Sequence, residues 1–371
     1  MPTSPASAPG PELQDLIGQK LVVRMDGSSP SASLLARTRR GQIGGVILHR
    51  FNFSSAAHLR SITRKLQGAA AAGGRPPLLI AVDQEGGPVT TIPWAPPTLS
   101  PPQIGASGWA ATARAQGRRT GDALRALGVN ADLAPVADVP SSATSLMWPR
   151  RWSSSAGETS RLATAFAAGL ADRHVLATVK HFPGLGPATR NTDKEVVRIA
   201  ASRARLTPGL RPFRAAVVAR VPLVMLSNAV YGAYDRRNGA GWSHAIGTTL
   251  LRDELGFRGA TITDSLDGAA HARGVPADVL AVRAGAAGTD LILITGSEAA
   301  SLSVYTSLMR AALDGRVDRA RLTASYARIL TLKGRYGASA RATTGASSSS
   351  RPKIASIRRL SSRWVSRFTP R

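Results

Sequence analysis

Polar residues with catalytic potential recur at one kind of position in this chain, the end of a short apolar run rich in Val, Ile and Leu. Six such ends are His49-Arg50, Asp83-Gln84-Glu85, Asp138, Lys180-His181, Ser227-Asn228 and Asp264-Ser265. The set combines carboxylates, a lysine, histidine and amides, without an obvious cofactor-binding motif. This composition favours binding of a hydroxyl-rich ligand and carboxylate chemistry such as glycoside hydrolysis. For any one residue alone, a strand-end cap or loop hydrogen bond is the simpler interpretation.

The sequence gives little support to other chemistries. It has no GxxxxGK[ST] phosphate loop, no HExxH helix and no GxSxG elbow. Gly184-Leu185-Gly186 lacks the third glycine of a dinucleotide loop. The six histidines form no close pair, and the absence of cysteine excludes thiolate zinc sites, iron–sulfur clusters and cysteine nucleophiles. The sequence therefore predicts neither a cofactor nor a metal site.

The apolar runs themselves are predicted strands. Eight occur, at Lys20–Met25, Ile43–His49, Pro77–Asp83, Val129–Asp138, Leu176–Phe182, Pro222–Asn228, Gly259–Ser265 and Thr289–Thr295. Such mostly non-alternating runs are typical of strands buried on both faces, and the longer Ala-, Leu- and Arg-rich segments between them indicate helices. This alternation predicts a single-domain (β/α)8 TIM barrel, with an open doubly wound sheet as the alternative. In a barrel, the carboxyl ends of all strands open onto one face, where active sites are built.

The two ends of the chain differ from the region between them. The 371 residues carry 48 Lys and Arg against 22 Asp and Glu, a formal charge of +26. Eight of these basic residues, with no acid, lie in a Ser- and Arg-rich tail at 338–371. The tail is interpreted as a basic amphipathic helix for an anionic surface or as a disordered basic segment. No nucleic-acid motif accompanies the charge, so nucleic acid is not the expected partner.

Residues 1–12 are predicted to be a flexible lead. They lack the positively charged start and apolar stretch of a secretory signal. No apolar run in the chain reaches the roughly 18–20 residues of a membrane span. These observations leave the localisation open between cytoplasmic and exported.

Five segments of the chain resemble the family 3 glycoside hydrolases, specifically their bacterial β-N-acetylglucosaminidase branch. They are Gly44-Gly45-Val46-Ile47-Leu48, Ala81-Val82-Asp83-Gln84-Glu85-Gly86-Gly87, Ala134-Pro135-Val136-Ala137-Asp138-Val139, Lys180-His181-Phe182-Pro183-Gly184 and Leu250–Asp267. The second, fourth and fifth are specific to the family, and they follow its order and spacing. The resemblance runs from about Leu13 to Gly337 and implies one (β/α)8 barrel over 13–337. It also implies a hydrolase that acts on the O-glycosyl bonds of a carbohydrate substrate.

The resemblance implies a role for individual residues. Asp264 stands where the family has its nucleophile, which attacks the anomeric carbon, forms a glycosyl-enzyme and retains configuration. Arg150 resembles the family's substrate-binding arginine, although the neighbouring Arg151 leaves that register open by one residue. Three further residues match the ligands of the sugar hydroxyls: Asp83, Lys180 and His181.

The chain departs from the family pattern where the branch carries its general acid/base. The family has a His there, assisted by an Asp two residues earlier, in the loop after the fifth strand. Aligned from Lys180, this chain has Asp193 in place of the His and Asn191 in place of the Asp. Four further departures are Leu185 in a PGLG segment, Pro88 after Glu85-Gly86-Gly87, Ser265 after the nucleophile, and Asn228 for a substrate-contacting His of the sixth strand.

Three interpretations of the altered loop are open. Asp193 is itself the general acid, with a pKa raised by burial. Alternatively, another acid such as Glu195 or Glu85 takes that role, or the acid/base is lost. A plain loop acid that caps the following segment is the structural alternative for Asp193.

The resemblance implies a retaining exo-β-N-acetylglucosaminidase acting on amino-sugar O-glycosides, with peptidoglycan fragments as candidate substrates. The alternative is a catalytically weak family member that binds cell-wall glycan or another anionic polymer. The altered loop, Asn228 and the basic tail at 338–371 motivate that alternative.

Overall fold

The computed structural model describes residues 11–337. Residues 1–10 of the predicted lead and the whole basic tail at 338–371 lie outside the described residues, so both predictions stay as they were made. No helix within 11–337 is both long and apolar enough to cross a membrane.

Twelve strands lie in the described residues. In chain order they are β1 (Leu21–Arg24), β2 (Gly45–Ile47), β3 (Leu79–Val82), β4 (Gln84–Gly86), β5 (Val89–Thr90), β6 (Ala131–Asp132), β7 (Leu176–Phe182), β8 (Arg198–Ile199), β9 (Leu223–Leu226), β10 (Val230–Tyr231), β11 (Ala260–Thr263) and β12 (Ile292–Ile294). Eight of them form one parallel sheet in the order β11-β9-β7-β6-β3-β2-β1-β12. A parallel bridge between Ile262 and Leu291 joins the two ends of this sheet. The predicted (β/α)8 barrel is therefore confirmed, and each predicted strand run contains one barrel strand.

Helices surround the barrel. In chain order they are α1 (Leu13–Gly18), α2 (Ala32–Arg39), α3 (Ala56–Ala72), α4 (Pro101–Ser107), α5 (Ala110–Ala126), α6 (Ala156–Ala171), α7 (Arg203–Val218), a π-helix (Ala245–Glu254), α8 (Leu266–His271), α9 (Ala277–Ala287), α10 (Glu298–Leu313) and α11 (Arg319–Tyr336). Serines cap several of the long helices; Ser55, for example, accepts from His58 N at the start of α3.

The barrel interior is filled by small and branched side chains from the strands, among them Val22, Ile47, Leu79 and Ile262. Three residues of α11 belong to the same buried cluster and close the amino-terminal end of the barrel: Ile329, Leu332 and Tyr336. This cluster leaves the opposite end, at the strand carboxyl termini, as the open mouth.

Two buried lysines lie at the closed end. Lys20 Nζ donates to Thr289 O at 2.7 Å and to Ser325 Oγ at 2.9 Å, and Lys333 Nζ donates to Gly44 O at 2.6 Å. Burial lowers the pKa of Lys20 to about 8 and that of Lys333 to about 7.

Candidate active site

The predicted site residues gather at the mouth of the barrel. Asp83 follows β3, Asp264 follows β11, Asn228 lies two residues beyond β9, and Lys180 and His181 belong to the last part of β7. The loops that contribute the other two candidates, Arg150 and Asp193, follow β6 and β7. Because parallel barrel strands all end on one face, this placement is the one that the strand-end pattern predicts.

Lys180 is the centre of a buried ion network. Its Nζ lies 2.7 Å from Asp83 Oδ1 and 2.6 Å from Glu85 Oε1. Arg150 donates twice to the same Glu85 carboxylate, at 2.9 and 2.7 Å. Burial disfavours the ammonium of Lys180, but the charges of Asp83 and Glu85 outweigh that cost and raise its pKa. The lysine therefore stays charged beside the carboxylate of Asp83, which is predicted to bind a sugar hydroxyl.

Glu85 is held as an anion. Burial disfavours its charge, yet Lys180 and Arg150 outweigh burial and lower the pKa of Glu85 to about 2. Both carboxylate oxygens are already occupied by these two partners. This geometry argues against Glu85 as the alternative general acid and gives it instead the role of orienting Lys180 and Arg150.

Arg150 and Arg151 make different contacts in the structure. Arg150 reaches Glu85, whereas the guanidinium of Arg151 stacks 3.5 Å from the ring centroid of Trp148. Glu85 itself is placed by the hairpin of β4 and β5, in which Gly86 has a φ of 88°. A Cβ at position 86 would lie 2.9 Å from Leu99 O, so only glycine allows this close turn.

His181 is oriented by a fully buried carboxylate. Its Nδ1 donates to Asp138 Oδ2 at 2.7 Å, and Asp138 Oδ1 accepts from the backbone N of Leu185 at 2.6 Å. This arrangement fixes the tautomer and leaves Nε2 as the ring nitrogen available for a ligand. The sequence had marked Asp138 as a polar strand end without assigning it a role. In the structure Asp138 lies six residues after the end of β6 and is fully buried, as expected of a residue that positions His181.

Asp264 is half-buried and is held by backbone groups. Its N donates to Leu226 O at 2.9 Å, and its Oδ1 accepts from Ser265 N at 2.8 Å. Asn228 donates from Nδ2 to Ser265 O at 2.7 Å, which ties the end of β9 to the turn after β11.

Asp193 lies in the loop after β7, close enough to Asp264 for the two charges to interact. Although residue 193 as a whole is exposed, burial of its carboxyl and the negative charge of Asp264 raise its pKa to about 6. His181, a side-chain hydrogen bond from Asn228, and Arg150 act in the opposite direction. A carboxyl with this pKa is partly protonated near neutral pH, as a general acid must be.

Contacts with neighbouring residues hold the loop of Asp193 in place. Asn191 Oδ1 accepts from Asp193 N at 2.8 Å, so Asn191 caps the turn and the Asp193 carboxylate is not used for that purpose. A Cβ added to Gly268 of α8 would lie 2.5 Å from Asp193 Cβ, which shows how closely the loop packs on the helix after Asp264. Glu195, the other alternative acid, forms an exposed ion pair with Arg190 at 2.8 Å.

No group of three or more His, Asp or Glu side chains within residues 11–337 has the arrangement of a metal site. The side chains that the described mouth presents are carboxylates, cations and amides.

The family model for the glycosyl hydrolase family 3 N terminal domain matches residues 12–332. An uncharacterized secreted glycosyl hydrolase of Arthroderma benhamiae is 33% identical over 331 residues, 86% of this chain and 93% of that protein. A beta-hexosaminidase of Alkalilimnicola ehrlichii is 34% identical over 293 residues, 77% of this chain and 80% of that protein.

Solved structures show the same relationship. A family 3 β-N-acetylglucosaminidase from a Paenibacillus species superposes with a TM-score of 0.85 and 31% identity, over 91% of this chain and 65% of that one. A β-N-acetylhexosaminidase from Beutenbergia cavernae has a TM-score of 0.81 and 29% identity, over 88% of this chain and 99% of that one. The chain thus spans just under two thirds of the Paenibacillus protein and nearly all of the Beutenbergia protein.

Proposed function

The chain belongs to glycoside hydrolase family 3 and is a hydrolase of O-glycosyl bonds; from this premise we propose a retaining exo-β-N-acetylglucosaminidase that works through a glycosyl-enzyme on Asp264. The observation that carries the proposal is a second carboxyl, that of Asp193, which lies close enough to Asp264 for the two charges to interact and has a raised pKa. Burial and the charge of Asp264 raise the pKa of Asp193 to about 6, while Asp264 Oδ1 accepts from the backbone N of Ser265. Two carboxyls with divided roles are what retaining hydrolysis requires.

The proposed reaction has two steps. Asp264 attacks the anomeric carbon, the bond from that carbon to the leaving oxygen breaks, and Asp193 gives its proton to that oxygen. Asp193, now a carboxylate, then removes a proton from a water molecule, which attacks the same carbon and releases Asp264. Two inversions at one carbon give net retention of configuration.

The surrounding residues are proposed to hold the sugar ring in the −1 subsite. Lys180 and Asp83 offer a donor and an acceptor for adjacent hydroxyls, because Asp83 uses only Oδ1 for the lysine. His181 offers Nε2. Arg150 is linked to this group of residues through its ion pair with Glu85. Their mutual ion pairs fix these side chains before the substrate arrives, which lowers the cost of reorganisation during reaction.

Asn228 is proposed to act between the two carboxyls. It holds the turn of Ser265 and lies close enough to Asp193 to act against the rise in that residue's pKa. The similarity to β-N-acetylglucosaminidases supports an N-acetyl group at the second carbon of the substrate's sugar ring. Peptidoglycan fragments are the proposed natural class of substrate, and residues 13–337 are the proposed catalytic domain. The tail at 338–371 is proposed as a contact for anionic surfaces.

The alternative of a catalytically weak glycan-binding barrel is less well supported. It was motivated by the loss of the family's acid/base His, but the raised pKa of Asp193 supplies a proton donor in that region. A binding protein would have no need for a carboxyl of raised pKa beside a second carboxyl.

The test compares an aryl N-acetyl-β-glucosaminide with the matching aryl glucoside, using wild type, Asp264→Asn and Asp253→Asn as the exposed-acid control. We expect preference for the N-acetyl substrate and a loss of more than about 10⁴-fold in kcat/KM for Asp264→Asn. NMR of the first product should show the β-anomer. Activity of Asp264→Asn equal to that of the control would exclude the nucleophile, and an initial α-anomer would exclude retention.

A further inference from the structure

A cavity of about 330 Å³ lies between α9 and α10, in the layer of helices that surrounds the barrel. Its lining residues belong to α9, to α10 and to the segment after α10, so none of them is part of the mouth. Small-ligand sites usually have volumes of roughly 300–1,000 Å³, and this cavity falls within that range. Three exposed arginines line it, Arg283 of α9, Arg310 of α10 and Arg316 after α10, and we call it the arginine groove.

Helical spacing brings these side chains to one groove. Val279, Val282 and Arg283 follow the i, i+3 and i+4 spacing of one face of α9. Ser307 and Arg310 are three residues apart on α10 and share a face of that helix. The groove therefore combines guanidinium groups from two helices with an apolar surface formed by two valines.

Most of the guanidinium donors in the groove are free. Within residues 11–337, the side chains of Arg283 and Arg310 form neither an ion pair nor a hydrogen bond. Arg316 makes an exposed ion pair with Asp314 at 3.2 Å. Exposed pairs of this kind contribute little to stability, so the Arg316 guanidinium can turn to a ligand at small cost.

The one acid that lines the groove does not neutralise these charges. Asp278 Oδ2 accepts a hydrogen bond of 2.6 Å from Ser307 Oγ, and Asp278 Oδ1 is buried. In the described part of the chain, Asp278 forms no ion pair with any of the three arginines. Three guanidinium groups and one carboxylate give the groove a formal charge of +2.

The positive charge continues from the groove toward the mouth through Arg273. Its guanidinium donates to Asn228 O at 3.1 Å and lies 4.7 Å from the ring centroid of Trp242. Burial and the charges of Arg198 and Arg283 lower the pKa of Arg273. The arginine groove is thus part of a larger region of positive potential, which attracts anions to this side of the barrel.

A phosphate group fits this arrangement better than a carboxylate does. One guanidinium can bind both oxygens of a carboxylate, so a groove for a carboxylate would need a single arginine. A phosphate monoester has three acceptor oxygens and a charge of about −1.5 to −2 near neutral pH, which matches three guanidinium groups with an excess charge of +2. Val279 and Val282 offer apolar surface to the molecule that carries the phosphate.

We infer that the arginine groove binds a phosphate group, either free or as a monoester, through Arg283, Arg310 and Arg316. The inference is independent of the proposed function, because it uses no residue of the mouth. It assigns to the helical layer a second binding site, at which a phosphate-bearing molecule is held while the mouth stays open to a glycan.

The test is isothermal titration calorimetry with inorganic phosphate at about pH 8, where phosphate is a dianion, and at constant ionic strength. We expect Arg283→Gln and Arg310→Gln each to weaken phosphate binding about tenfold or more, as for a lost charge-assisted hydrogen bond. Arg64→Gln, an exposed arginine on α3, is the matched control and should bind as wild type does. Phosphate should raise the melting temperature of wild type and of the control more than that of the two groove variants.

A second titration, with glycerol 3-phosphate, identifies the source of the phosphate group. Tighter binding than that of inorganic phosphate supports a monoester, and equal or weaker binding supports free phosphate. If neither compound binds up to about 10 mM, or if Arg310→Gln and Arg64→Gln weaken binding equally, the inference is overturned. Calorimetry needs no catalysis, so a wild type that fails to hydrolyse an aryl N-acetyl-β-glucosaminide would contradict the proposed function and leave this result in place.

Discussion

Both ends of the barrel contain buried lysines, but the groups that surround these lysines differ. Lys180 at the mouth and Lys20 and Lys333 at the closed end are exposed by only 2%, 1% and 3%. Lys180 contacts two carboxylates, whereas the ammonium groups at the closed end contact carbonyl, hydroxyl and amide oxygens. The pKa of Lys180 is accordingly raised, because its carboxylates outweigh burial, and burial lowers the pKa of Lys333 to about 7.

The difference shows what each end is built to do. A lysine among neutral oxygens can lose its proton and still donate hydrogen bonds, so it joins segments without requiring a permanent buried charge. The closed end follows this pattern even though Asp290 is near, because Arg252 and Arg328 occupy that carboxylate. A lysine held by carboxylates keeps a fixed charge at the mouth, where polar ligands bind. A lysine substitution at the mouth should therefore lower both activity and stability, whereas one at the closed end should lower stability alone.

Lys180→Met should have the largest effect. It leaves the Asp83 carboxylate without its ion-pair partner, which we expect to cost about 3–5 kcal/mol of unfolding free energy. It also removes a charge from the sugar site, and kcat/KM on an aryl N-acetyl-β-glucosaminide should fall by more than about 10³-fold. Chemical denaturation and initial rates measure the two effects. Activity within tenfold of wild type would contradict the functional assignment of the mouth.

Asp193→Asn tests the proposed general acid at the mouth. It should lower the rate of the reaction without changing the stability of the fold. Loss of a general acid lowers kcat/KM by about 10²–10⁴-fold on a disaccharide with a poor leaving group, and by less on a nitrophenyl glycoside. With a pKa of about 6 for Asp193, wild-type kcat/KM on the disaccharide should decline above about pH 6, since the protonated form is the donor. The pH profile of the variant should not show this decline. An unchanged pH profile would remove Asp193 from the mechanism.

Gly268→Ala should produce an intermediate loss. The added Cβ would meet Asp193 Cβ at 2.5 Å, so the loop must move away from Asp264. We expect about a tenfold lower kcat/KM on the disaccharide, and a smaller change with nitrophenol as leaving group. Gly68→Ala on α3, where no atom lies within 4 Å of the added Cβ, is the matched control. Equal losses on both substrates would indicate general damage to the mouth instead of a displaced acid.

The sequence predicted the eight strands because parallel barrel strands are buried on both faces and therefore appear as continuous apolar runs. The same logic located Asp83, Lys180 and Asp264, since a polar residue that ends such a run must lie at the mouth. Short helices such as α4 and α8 were not predicted, because they hold too few residues for a helical period.

What the sequence did not reveal are the roles that depend on contacts between distant segments. Glu85 was considered only as an alternative acid, whereas it binds Lys180 and Arg150 from 95 and 65 positions away. The sequence did not indicate a role for Gly268. Its role is to leave room, by having no side chain, for a loop that is distant in the sequence. Lys333 belongs to a helix with several exposed basic residues, and no local pattern distinguishes it as the one that enters the barrel.

Lys333→Met is the smallest expected change and the sharpest test of the closed end. Activity should stay within about twofold, and the lost hydrogen bonds to Gln19 and Gly44 should cost about 1–3 kcal/mol at pH 9. The folded pKa of about 7 lies below the unfolded value near 10.5. Between these values the unfolded chain binds the extra proton, so wild-type stability rises with pH across that window.

The Lys333→Met variant has no lysine to titrate at this position. The sign of its stability difference from wild type can therefore be predicted at each pH. Its melting temperature relative to wild type should be highest at pH 6, where the folded wild type must bury a charged lysine, and should fall toward pH 9. Lys65→Met, an exposed lysine on α3, should show no such trend. A difference that grows in the opposite direction would mean that Lys333 is held as a stable cation, as Lys180 is, and the contrast between the two ends would then be wrong.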